Sequence, residues 1–101
     1  MLDMKGEPPL LSKSERNVIE QLIERDKYGL ELVAGSDGFL ARSSVYVLLG
    51  RMEDKGLIEG REVAAPSGEN GPPRRRYKTT GHGVRAFHAY AAALAVWRGA
   101  E

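Results

Sequence analysis

Arg74-Arg75-Arg76-Tyr77-Lys78 sets four cations in five residues. In an extended strand, alternation puts Arg74, Arg76 and Lys78 on one face, and Arg75, Tyr77 and Thr79 on the other, with Tyr77 the candidate core residue. Such a strip can neutralise several phosphates. A second group lies upstream, in Arg42-Ser43-Ser44-Val45-Tyr46-Val47 and Arg51. Serine, tyrosine and arginine side chains reach phosphates or base edges when a helix enters the major groove. The chemistry on offer is the binding of a polyanion. Catalysis finds no constellation: there is no cysteine, no phosphate-cradling Gly-rich loop after a strand and no nucleophile elbow. Ser43 and Ser44 have no histidine near them in sequence, and Glu53 and Asp54 sit at adjacent helix positions that point apart. His82 and His88 are six apart and do not share a helix face with metal-ligand spacing, so no metal and no cofactor is expected.

The elements that must hold these groups come in a fixed order. A helix-like run from Ala41 to Lys55 carries Val45, Leu48, Leu49 and Met52 on its apolar face. Arg42, Ser43, Tyr46, Val47 and Arg51 turn away from it. Gly56 is a good C-terminal stop. A strand, Leu57 to Val63, a Gly/Pro loop, Ala64 to Pro73, and the basic strand, Arg74 to Thr79, come next. Thr80 then caps another helix. Helix, strand, loop, basic strand is the layout of a winged helix-turn-helix with its recognition helix and wing.

Upstream, residues 1–9 read as a loose tail ending in Pro8-Pro9. Ser12-x-x-Glu15 is a capping box for a first helix that ends near Asp26, with Leu10 or Leu11 stapling its start. Val18, Ile19, Leu22 and Ile23 mark one face of that helix. Tyr28 to Ala34 is a second, short helix whose buried side the sequence leaves open among Leu30, Leu32 and Val33. Gly35-Ser36-Asp37-Gly38 is a turn cluster, and Phe39 and Leu40 are expected to plug the core. The predicted class is mostly α with a small β-hairpin. The predicted division is an N-terminal tail, 1–9, a winged helix-turn-helix, 10–80, with its wing loop at 64–73, and a C-terminal dimerisation helix, 81–101.

A chain of 101 residues suits one domain. The hydrophobic fraction, 42%, is ordinary for a globular protein. Absent cysteines and absent signal-peptide or membrane-spanning stretches make the cytoplasm the simplest location. Net charge is only +1, but it is unevenly spread. Residues 1–69 carry nine Lys and Arg against thirteen Asp and Glu, and residues 70–101 carry six against one. A nearly neutral protein with a basic edge can bind phosphate locally. The plain alternative is a solvated basic strand that serves solubility.

From Val84 the last helix is apolar and small, and its apolar residues cover more than one face. In a chain this short such a helix needs a partner, most simply the same helix, or the first helix, of a second copy. Phe87, Tyr90, Ala91, Leu94 and Trp97 are the candidate seam. His88 reads as a packed or interface histidine. Trp97 is first a packing residue; the sharper reading is a platform on which a flat aromatic effector stacks.

Three segments resemble the PadR-like family of winged-helix transcriptional regulators. Tyr28-Gly29-x-Glu31-Leu32 is similar to that family's Tyr-Gly-x-Glu-Ile. Ser44-Val45-Tyr46-Val47-Leu48-Leu49-x-Arg51-Met52-Glu53-x-Lys55-Gly56-Leu57-Ile58 is similar to its Thr-Leu-Tyr-Pro-x-Leu-x-Arg-Leu-Glu-x-x-Gly-Leu-Ile. Pro73-Arg74-Arg75-Arg76-Tyr77-Lys78-Thr79-Thr80-x-x-Gly83 is similar to its Pro-Arg-Lys-Tyr-Tyr-x-Leu-Thr-x-x-Gly. The likeness runs from Ser12 to Phe87. Val47 stands where the family has proline, Arg76 where it has an aromatic residue, and Thr79 where it has an apolar one.

The resemblance implies a homodimer joined through the C-terminal helix, in a short form with a small seam. It implies third helices in successive major grooves of a pseudo-palindrome, with wings on flanking backbone or minor groove. Carried over, Ser43, Ser44, Tyr46 and Val47 face DNA, and Arg74, Arg75, Arg76 and Lys78 hold phosphates. Some members release DNA when a small aromatic compound binds near the seam. The expected function is a sequence-specific double-stranded DNA-binding regulator, a repressor acting as a homodimer. At about three phosphate contacts per copy its affinity falls with salt at a slope of roughly −5. The competing expectation is a winged-helix protein-interaction module that touches no DNA, with which the acidic first half is compatible.

Overall fold

The computed structural model describes residues 11–64 and 74–99. Helix α1 spans Lys13–Glu24. Its capping box is formed: the Glu15 N–H donates to Ser12 Oγ at 3.1 Å, and the Ser12 N–H donates to Glu15 Oε1 at 2.9 Å. Val18, Ile19 and Leu22 are buried, and Leu11 joins the core just ahead of the helix. Ile23, expected on the same face, is instead exposed. It lies a full turn-step of about 100° beyond Leu22 around the helix, on the solvent side.

Two residues, Lys27–Tyr28, form a short strand β1 where the sequence predicts no strand. Helix α2 then runs Gly29–Ala34. Leu32 points into the core, Val33 is half-buried and Leu30 is exposed, which settles its buried side. The Glu31 carboxylate accepts the Tyr28 N–H at 2.9 Å and pairs with Arg25 at 3.2 Å. That backbone hydrogen bond, aided by Arg25 and against a smaller effect of burial, holds its pKa below the usual carboxylate range.

The turn after α2 is built on the buried Ser36, whose hydroxyl donates to Val33 O at 2.8 Å and accepts the Leu40 N–H at 3.0 Å. Leu40 enters the core, but Phe39, expected there too, is 56% exposed. Both residues are tied to Ser36, Phe39 N–H to its carbonyl at 3.1 Å and Leu40 N–H to its hydroxyl, but successive side chains at this bend diverge and only Leu40 turns inward.

Helix α3 covers Val45–Asp54. It is shorter than the run that suggested it, because Ala41 to Ser44 form a turn in which Ala41 O accepts the N–H groups of Ser44 and Val45. Val45, Leu49 and Met52 are buried and Leu48 half-buried, as the periodicity required. The helix ends in a Schellman pair: Gly56 N–H donates to Glu53 O at 2.9 Å and Leu57 N–H to Met52 O at 3.0 Å, with Gly56 at φ +74°.

Strands β2, Ile58–Val63, and β3, Arg74–Thr79, pair antiparallel, and β1 adds to the far side of β3 to give the order β1-β3-β2. Helix α4 comes last, as Gly81–Gly99. Thr80 caps it as expected, its Oγ1 accepting the Gly83 N–H at 3.0 Å. The three N-terminal helices cover one face of the sheet. One core of Val18, Ile19, Leu32, Leu49, Met52, Ile58 and Tyr77 lies between them. The predicted tail at 1–9 and the wing loop from 65 to 73 fall outside the described residues.

Candidate nucleic-acid interface

The side chains offered by α3 and the turn before it are open. Arg42, Ser43, Ser44 and Arg51 are exposed, with Tyr46 52% and Val47 58% exposed. A shallow depression beside them is bordered by Ser14, Phe39, Leu40, Val47, Leu48 and Arg51. Tyr46 is open yet anchored. Its ring lies against the backbone of Gly29, where a Cβ would stand 2.6 Å from Tyr46 Cε1. Only glycine leaves that space, so the first residue of α2 sets where the Tyr46 hydroxyl points.

The wing strand divides its cations by parity. Residues directly opposite in an antiparallel pair point to the same face. Ile58 faces Thr79, Gly60 faces Tyr77 and Glu62 faces Arg75 on the inner side, towards the helices. Glu59 faces Lys78, Arg61 faces Arg76 and Val63 faces Arg74 on the outer side.

On the inner side, Arg75 grips Glu53 of α3 with two hydrogen bonds, Nε to Oε1 at 3.3 Å and Nη2 to Oε2 at 2.7 Å. Glu53 raises the Arg75 pKa further above an already high value. Tyr77 is buried, and burial first and Glu53 second push its hydroxyl pKa up, so it stays neutral. The sequence expectation sets Arg75 on phosphate with its neighbours. Its guanidinium, still partly exposed, is instead held by Glu53, which straps the wing to the end of α3.

On the outer side, Arg74 and Arg76 each stand 5.7 Å from the Tyr28 ring centre. Lys78 is within 3.5 Å of Glu59, both exposed. The Arg76 Nε is buried without a hydrogen-bond partner among the described residues. Tyr28, Gly29, Glu53 and Arg61 adjoin these groups; the first three stand in the segments that resemble the family, which imply no binding role for them, and Arg61 stands in none. Register is the signal that finds Arg61, since it requires only that β2 and β3 pair as a hairpin.

Helix α4 is divided along its length. Ala86 is buried, and Phe87 and Tyr90 are half-buried against the domain's own core. The Arg16 guanidinium sits 4.4 Å over the Tyr90 ring. Ala91 is exposed, Leu94 half-buried and Trp97 73% exposed. Of the five predicted seam residues, Phe87 and Tyr90 thus already have intramolecular partners, and Trp97 has the most surface free. Among the described residues no cluster of His, Cys, Asp or Glu fit for a metal occurs, and no helix is long and apolar enough to cross a membrane.

Three helices on a small antiparallel sheet, an open third helix and a basic hairpin define a winged-helix domain of the DNA-binding class. The sequence profile of the transcriptional regulator PadR-like family matches residues 18–89. The chain belongs to that family and is a transcriptional regulator by class. Among solved structures it is similar to a PadR-like transcription factor from Bacteroides fragilis, with a TM-score of 0.73 and 21% identity over 85% of this chain and 84% of that one. A PadR family regulator from Clostridium difficile gives 0.71 at 23% identity, over 88% and 94%. One from Eggerthella lenta gives 0.69 at 28% identity, over 85% and 75%. Identities below 25% speak for the fold alone. A search of curated proteins returned no match.

Proposed function

We propose that this chain is a cytoplasmic, homodimeric, sequence-specific DNA-binding repressor acting on a pseudo-palindromic operator. Residues 10–80 form the DNA-binding unit and residues 81–101 the dimerisation helix. The observation that carries the reading is continuity. Tyr46 of α3 rests on Gly29, Gly29 adjoins Tyr28, and Tyr28 is flanked by Arg74 and Arg76 of the wing. One surface therefore joins groups suited to base edges with groups suited to phosphates.

In the proposed complex, α3 enters the major groove. Ser43, Ser44, Tyr46 and Val47 meet bases or adjacent phosphates, and Arg42 and Arg51 hold the strands. Arg74, Arg76 and Lys78 set affinity across all sequences. A second copy covers Ala91, Leu94 and Trp97, and places its own α3 about one helical turn of DNA away. Trp97 at that seam is the candidate contact for a small aromatic effector. Repression is steric, by covering a promoter.

The test is selection of bound sequences from random duplex DNA, with affinity measured against salt. A palindromic motif and a steep slope are expected. Arg74→Ala with Arg76→Ala should lower affinity equally on every sequence and reduce the slope by about two per copy. An unchanged slope sinks the wing assignment. No binding at low salt sinks the whole reading in favour of a protein-interaction module.

A further inference from the structure

We infer that the outer face of the sheet is a phosphate cradle for the duplex backbone, in which Arg61 of β2 closes on Arg76 across the strands and Tyr28 of β1 forms the floor. This rests on the DNA-binding reading above and adds Arg61 and Tyr28 to it. The cross-strand register sets Arg61 directly opposite Arg76. Like charges in that position repel and destabilise a bare hairpin. A bound anion removes the repulsion and gives both guanidiniums an acceptor.

Three further observations point to an anion. Arg76 Nε is a buried donor with no partner among the described residues, and such groups are costly unless something completes them. Tyr28 pairs in register with Arg76, and its ring lies 5.7 Å from both the Arg74 and the Arg76 guanidinium carbon. Held beside the ring in this way, planar guanidiniums lose less freedom when they bind phosphate in a forked geometry. Finally, the depression next to Arg61 and Arg76 also meets Lys78, Asp26 and Glu59. Glu59 is drawn towards Lys78 at 3.5 Å, while Arg61 and Arg76 have no ion-pair partner among the described residues. With three cations against two carboxylates, the depression stays net positive, and neither carboxylate forms an ion pair with Arg61 or Arg76. Its place beside Tyr28 and Gly29, on which Tyr46 rests, sets the cradle along the backbone bordering the groove that α3 would read.

Arg61→Ala, Arg61→Lys, the Arg74→Ala/Arg76→Ala double variant and the control Arg85→Ala should be compared by fluorescence anisotropy on selected and random duplexes across a salt series. Loss of one phosphate contact costs roughly eightfold in affinity at 0.1 M salt and about one in the salt slope per copy. Arg61→Ala should show both, equally on the two duplexes, with no fall in Tm. Arg61→Lys should keep the slope, and Arg85→Ala should behave as wild type. The cradle is overturned if Arg61→Ala binds with wild-type affinity and slope while the double variant flattens the slope; in that case the wing reading stands without it. If neither variant changes the slope, the wing reading has failed as well. A fall in Tm for Arg61→Ala would make it structural and also overturn the cradle. So would saturation of the Arg61 and Arg76 Nε–H signals by inorganic phosphate in a protein whose duplex affinity ignores Arg61, which would mark a site for free anions.

Discussion

The two faces of the β2–β3 hairpin share a backbone and a basic sequence, yet they do opposite work. The inner face carries Ile58 and Tyr77 into the core, leaves Thr79 half-buried and locks Arg75 onto Glu53. The outer face carries Arg61, Arg74, Arg76 and Lys78, with Tyr28 beside them, and leaves most of that charge open. Arg74, Arg75 and Arg76 are neighbours of one residue type, and parity alone divides them. A run of arginines in a strand is therefore not one binding motif. Every second member is available to fasten the strand to the body of the protein.

The largest test of this division is Tyr77→Ala. The side chain is buried and central, so truncation removes its apolar contacts and leaves a cavity. A loss of about 3–5 kcal/mol is expected, against a total near 5–15 kcal/mol for a domain of this size. Urea denaturation measures it. Arg76→Ala, one residue away on the outer face, should change stability far less. Comparable losses for the two would break the comparison.

A smaller effect separates Arg75 from its neighbours. Its bidentate pair with Glu53 is partly exposed, with 40% and 25% of the two side chains open, and solvent screens it. A double-mutant cycle with Glu53→Ala and Arg75→Ala should give a coupling of roughly 0.2–1 kcal/mol in stability. Arg75→Ala should leave the salt slope of DNA binding at its wild-type value, unlike the Arg74→Ala/Arg76→Ala variant. A slope lowered by Arg75→Ala would mean that the guanidinium leaves Glu53 for phosphate, and that both faces serve the nucleic acid.

Most of the fold is legible in the sequence where a local rule operates. The Ser12 and Glu15 capping box, the apolar face of α3, the Gly56 stop and the alternation of β3 each depend on residues within a turn or two. The features that sequence does not announce depend on distant partners. β1 has two residues and no period to detect, and it exists because β3 offers an edge. Phe39 and Ile23 are apolar in sequence, and only the bend at Ser36 and the position of Ile23 around α1 leave them outside. Lys27 is buried because Gln21 Oε1, 3.1 Å away, accepts from its ammonium, while Gln21 Nε2 donates to Leu32 O at 3.0 Å. No pattern signals such a network. The candidate interface shows the same split: its exposed helix side chains are readable from periodicity, whereas the Glu53 strap and the position of Arg61 require the register.

The hairpin hangs on a frame, and the smallest test loosens that frame without touching either face. Glu15 is buried between α1 and the end of α3. Its Oε2 accepts from Lys55 Nζ at 2.7 Å and its Oε1 from the Ser12 N–H at 2.9 Å. Burial alone would raise its pKa, but the hydrogen bonds from Lys55 and Ser12 together outweigh burial and hold it below the ordinary carboxylate range. A carboxyl depressed on folding gives stability that is fully present above its ordinary pKa and is lost as pH falls through the folded value. Lys55 is largely exposed, so the contribution should stay within about 1 kcal/mol. Glu15→Gln keeps a side chain able to accept the Ser12 N–H but removes the titration. Unfolding free energy measured from neutral to acid pH should therefore fall less steeply in Glu15→Gln than in wild type, the remaining slope arising in part from Glu31, which is depressed in the same direction. Identical acid limbs would show that the α1–α3 contact is held by its apolar residues alone, and that the charge at Glu15 contributes nothing to the support on which the two faces of the wing depend.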